Sequence, residues 1–145
     1  MDPTSPIIQL CVQGVEAESA RRFDEARTYF EQAWRAATDD VEACIAAHYI
    51  ARNQVEPEAA LWWNQIALAR ADKVIGRGDD RVKSFYASLH LNLATSHEKL
   101  GQVGLAHHHY ERASRTLGDI IDSEHRVLVD YCVTRGLART DARVS

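Results

Sequence analysis

Three segments of the 145-residue chain repeat one spacing: an alanine followed four residues later by an aromatic ring. They are FDEARTYFEQAW (23–34), EPEAALWWNQIA (56–67) and QVGLAHHHYERAS (102–114). The pairs are Ala26/Phe30, Ala59/Trp63 and Ala106/Tyr110. On a helix, a separation of four puts both side chains on one face, one above the other. The first two alanines are 33 residues apart and the next two 47. That is one period of about 34 residues, then one period lengthened by about 13. Such a period is the mark of stacked helix–turn–helix units, none of which can bury its apolar face alone.

Apolar residues recur along the chain in the i, i+3, i+4, i+7 pattern of a helix face, as in Phe23, Ala26, Phe30 and Ala33. The pattern predicts seven helices, over about 5–20, 23–37, 40–52, 57–75, 80–99, 103–117 and 123–139. Their boundaries have causes. Asp39, with Glu42 three residues on, forms a capping box. Pro57 suits a first helical turn, where its missing N–H costs nothing. GRGDD (76–80) interrupts the pattern and offers an aspartate cap. Gly101 and Gly118 end the fifth and sixth helices, and Ser123 caps the last. The polar tail TDARVS is expected to fray.

These features resemble the tetratricopeptide repeat family, whose pattern is W-x₂-L-G-x₂-Y followed by A-x₃-F on two antiparallel helices. HLNLATSHEKLGQVGLAHHHYERA carries the best likeness. Leu93 and Ala94 stand at the Leu-Gly step, Gly101 at the turn, Ala106 at the helix crossing and Tyr110 at the packing aromatic. The first repeat keeps Gly14, Ala26, Phe30 and Ala33; the second has Ala46 and Ala47 at the Leu-Gly step. The resemblance implies an all-α, right-handed α-solenoid of about three helix pairs, at 8–38, 40–72 and 84–117, within one domain spanning 1–145. A capping helix at 123–139 would bury Val127, Leu128, Tyr131 and Leu137. The chain also looks like short bacterial tetratricopeptide proteins and the repeat regions of bacterial transcriptional activators.

Bulk properties narrow the function. The formal charge of −4 gives no overall basic surface, so nucleic acid is not an expected partner. No apolar run approaches the roughly 20 residues of a membrane span, and the N-terminus lacks the pattern of a signal peptide. Cys11, Cys44 and Cys132 are odd in number and far apart, as for reduced thiols in the cytoplasm. Phosphate-loop, dinucleotide, nucleophile-elbow and H-E-x-x-H motifs are all missing. Neither a cofactor nor a metal is expected. The triplet His107–His109 points its rings about 100° apart, which suits a solvated face better than a shared ion.

What the resemblance implies for the site is a concave groove lined by the first helix of each pair. Superposed repeats put Cys11, Cys44 and Leu91 at one groove-facing position and Val15, His48 and Thr95 at the next. The expected contact residues are Glu18, Cys44, His48, Arg52, Asn92, Thr95 and Glu98. Another protein, bound as a peptide or helix, would make this an adaptor module. A homo-oligomer is a second expectation, with Trp62 as either linker packing or an exposed anchor. The alternative is a small-molecule-binding protein or atypical enzyme with Asp40, Cys44, His48 and Asn92 in one polar pocket. An imidazole beside a thiol can stabilise the thiolate. The family's carboxylate-clamp subclass does not fit, since Cys11, Val15, Ile45 and Ser88 offer no cation and only Asn92 matches.

Overall fold

The computed structural model describes residues 4–144, with side chains described through Asp141. The chain is all-helical over these residues. The helices are α1 (Pro6–Ser19), α2 (Phe23–Ala36), α3 (Asp40–Arg52), α4 (Pro57–Gly76), α5 (Tyr86–Lys99), α6 (Val103–Arg115) and α7 (Ser123–Val144). Short 3₁₀ turns at Lys83–Phe85 and Leu117–Asp119 precede α5 and α7. The stretch expected as the start of the fifth helix, 80–85, is therefore a turn region. The polar tail continues α7 to Val144, and Ser145 lies outside the described residues. The helices group into two compact units, Met1–Arg81 and Val82–Ser145, where the sequence reading treats the chain as one domain.

In the first unit, α1 packs on α2, α2 on α3 and α3 on α4. The pairing of α1 with α2 turns on one glycine. A Cβ on Gly14 would stand 2.3 Å from Cε1 of Phe30, so only a bare backbone lets that ring in. Phe30 has no exposed surface and stacks on Tyr49 of α3, with centroids 5.1 Å apart. Ala26 and Ala33 flank it and are also fully buried. The entry to α3 is tied as its sequence requires. Asp39 accepts from the Glu42 N–H at 2.8 Å, while the Glu42 carboxylate reaches back to the N–H of Thr38 at 2.9 Å. In α4 the buried residues are Asn64, Ala67, Ala71 and Val74. Ala59 and Trp63 are half-buried, and Trp63 meets the edge of Trp34. Trp62 is 62% exposed, so most of its ring faces solvent.

The second unit repeats the glycine-and-ring device between different helices. α5 packs on α6, and α6 on α7. A Cβ on Gly136 of α7 would stand 2.3 Å from the Tyr110 ring of α6. Ala94, Ala106 and Tyr110 form one apolar cluster, and Ala87, Ala113, Ile120, Val129 and Val133 form another. The turn between α5 and α6 matches that between α1 and α2. Gly101 at φ 77° and Arg21 at φ 62° occupy the left-handed position after each helix. In both turns the following N–H bonds five residues back, to His97 and Ala17 respectively.

The buried stripe of α7 differs from the expected one. Val129, Val133 and Thr140 are buried with Gly136 between them, and Leu137 is half-buried. Val127, Leu128 and Tyr131 are 70%, 60% and 59% exposed. The helix carries two apolar stripes. Gly136 lies on the second, and only that side admits the Tyr110 ring.

Candidate binding groove

Seen one by one, the residues expected in a groove are largely engaged within their own unit. Glu18, Cys44, His48 and Arg52 belong to the first unit; Asn92, Thr95 and Glu98 belong to the second. Arg52 forms an ion pair with Glu18, which also accepts from Nδ2 of Asn53 at 2.9 Å. The Arg52 guanidinium lies 5.0 Å from the centre of the Tyr49 ring. Together these contacts tie the end of α3 to the end of α1.

Cys44 is a correction to the expected contact surface. It has no exposed area, and burial, then the nearby Asp72 carboxylate, push its thiol up to about 12. Cys11 is buried as well, and its thiol rises to about 11. At neutral pH both are protonated apolar fillers rather than nucleophiles or metal ligands. His48 is half-buried, with its ring 5.1 Å from that of Tyr49.

Asp40 points elsewhere. It binds Arg70 at 2.9 Å and Arg77 at 2.7 Å, and these partners, Arg77 foremost, hold its carboxyl below the usual range. With Trp34, Asp40 lines a cleft of about 640 Å³. Of the residues expected in a polar pocket, Asp40 is thus engaged by Arg70 and Arg77, and Cys44 is sealed from solvent.

In the second unit Glu98 joins three helices. Its carboxylate accepts from the Tyr110 hydroxyl at 2.7 Å and from Arg139 at 3.0 and 3.1 Å. Thr95 donates to the Leu91 carbonyl at 3.0 Å. Asn92 is half-buried. The histidine triplet is not a uniform solvated face. His108 is exposed, but His107 bonds Thr140 at 2.8 Å and Glu111 at 3.0 Å. His109 stacks between His90 and His97, with centroids 5.2 and 5.4 Å away. Among the described residues no group of three His, Cys, Asp or Glu is placed to hold a metal ion.

What α1 and α3 leave open is apolar. Ile8, Val12, Val15, Ile45 and Tyr49 line a groove of about 360 Å³, with buried Cys11 beneath and Glu16 at its edge. Val12 is 51% exposed. The groove continues past Ile8 and Ile45 into a smaller hollow of about 220 Å³, bordered by Asp39, Glu42 and Arg81. Arg81 is held by Asp79, at 2.6 Å. The rim therefore carries an excess of carboxylates: Glu16, Asp39 and Glu42. The spacing of Ile8, Val12 and Val15 signals this stripe in the sequence, but none of the three carries a polar group that would mark a site. Among the described residues, no helix is long and apolar enough to cross a membrane.

Comparisons with models of known families, with curated proteins and with solved structures found no match.

Proposed function

We propose that the chain is a noncatalytic interaction module of the tetratricopeptide type, a right-handed α-solenoid of three helix pairs with α7 as its cap. It acts as a cytoplasmic adaptor, and the α1–α3 groove takes a peptide or helix of another protein. The observation that carries this reading is the open, apolar-floored groove itself, with Val12 half exposed at its centre. Apolar side chains left at a concave surface are stabilised when a partner covers them, by about 25 cal/mol per Å² removed from water. The acidic rim selects a segment with apolar anchors and flanking Lys or Arg. The alternative polar-pocket reading lacks support, because Cys44 is sealed and Asp40 is engaged with two arginines.

Site-specific photo-crosslinking in cells that make the protein tests this. A photoreactive residue at Val12 should capture a partner that one at the exposed Phe23 does not. The captured protein, once purified, should bind Val12→Asp at least about tenfold more weakly, the equivalent of ~1.4 kcal/mol. Equal capture from both positions, or undiminished binding to Val12→Asp, would count against the groove.

A further inference from the structure

The outward stripe of α7 has a second use. Glu124, Val127, Leu128, Tyr131 and Arg135 follow one another at helical spacing, and all are exposed. They lie on the side opposite Val129, Val133 and Thr140, which are buried against the rest of the second unit. Three large apolar side chains on one solvent-facing stripe form more than the scattered exposure normal at a surface. Just before the helix, Ile121 is 86% exposed and extends the apolar surface.

We propose that this stripe is a dimer interface whose occupant is α7 of a second copy, running antiparallel. The charge order points to a second copy. Glu124 stands at the N-terminal end of the stripe and Arg135 at the C-terminal end, with the apolar residues between. A two-fold axis crossing the helix between Val129 and Asp130 puts each Glu124 opposite the other copy's Arg135. The same operation sets Leu128 against Tyr131 twice, and brings Ile121 toward the small Ala138. A parallel pair would instead place like charges together at both ends. Arg135 already lies over its own Tyr131 ring, 5.4 Å from the centroid, at the edge of the apolar stripe. Such an isologous interface closes on itself and stops at two subunits. One helix pair is small beside a standard interface of about 1,600 Å², so the dimer is a weak one, in equilibrium with monomer at micromolar concentrations.

Sedimentation equilibrium of the full chain over a wide concentration range tests the proposal. A monomer–dimer equilibrium is expected, and Leu128→Arg should leave only monomer while helical content by circular dichroism stays unchanged. Glu124→Arg and Arg135→Glu should each raise the dissociation constant about tenfold. Combining them should restore it to within about threefold of the parent, because the swapped charges meet again across the axis. A chain that stays monomeric at several hundred micromolar overturns the proposal, as does a dimer indifferent to Leu128→Arg. Failure of the double variant to recover overturns the antiparallel register. The groove reading stands apart from these results, since none of these residues lines the groove.

Discussion

At the scale of single residues, burial decides what the cysteines can do. In the sequence Cys44 stands one helical turn from Asp40 and His48, as a reactive thiol would, whereas Cys11 stands among Ile7, Leu10, Val12 and Val15. In the structure both lose their hydration, and a thiolate has nothing to replace it. Cys132 is half-buried on α7. Treating the native protein with a thiol-specific alkylating reagent at neutral pH should label Cys132 first. Cys11 and Cys44 should react only once the chain is unfolded, a difference that peptide mass spectrometry reads directly. Early labelling of Cys44 would reopen the reactive-thiol reading. Glu18 and Glu98 show the same kind of shift from expected to actual role. Each was legible as a polar residue on a helix face. What the sequence does not display is its partner, Arg52 for one and Tyr110 with Arg139 for the other, 34, 12 and 41 residues away.

Among elements, the two glycine-and-ring contacts carry the packing. Gly14 and Gly136 each face a ring that cannot retreat: Phe30 is stacked on Tyr49, and Tyr110 is tied through its hydroxyl to Glu98. Gly14→Ala and Gly136→Ala should each destabilise the protein by about 1–3 kcal/mol, the usual cost of overpacking. Gly104→Ala is the control. It lies within α6 with nothing within 4 Å of a Cβ, so alanine there should stabilise by roughly 0.5–1 kcal/mol. Urea unfolding of the three variants measures both signs together. The boundaries of the seven helices were legible almost throughout, because caps, prolines and glycines act locally. The exceptions are 80–85, where GRGDD leaves no strong helical start and a 3₁₀ turn takes over, and the end of α7, which runs on through the polar tail to Val144.

On the scale of the whole molecule, stability should depend on acid through the second unit. His90 and His109 approach Nδ1 to Nδ1 at 3.0 Å, a contact that needs one proton and has no room for two. Nε2 of His90 is buried with no hydrogen-bond partner. Burial, then Arg112 and His108, hold His90 down to about 4. Burial again, followed by His90, His97, His108 and Arg112, holds His109 down to about 4. The unfolded chain takes up these protons near 6.5, and the folded chain only near 4. Protons therefore bind the unfolded state first, so this stability is intact above pH 6.5 and falls as pH drops toward 4. Melting temperature should decline over that window, and His109→Asn, which keeps a polar atom near Nδ1 but does not titrate, should flatten the decline. An unchanged pH profile in that variant would remove the histidine stack as the cause.

What could be read from the chain alone is that it is helical, where most of its helices start and stop, and that Ala26, Phe30, Ala106 and Tyr110 are buried. Each of these follows from spacing and from capping chemistry within a few residues. Which of the two stripes of α7 faces inward was settled by packing. Periodicity marks apolar stripes on a helix but does not rank them, whereas Gly136 gives Tyr110 a place on one side alone. Tertiary contact likewise decided that Arg52 of α3 and Glu98 of α5 are bound to neighbouring helices, and that the face left open between α1 and α3 is apolar. A charged side chain pairs with whatever opposite charge the fold brings within reach, and that partner lies tens of residues away in the chain.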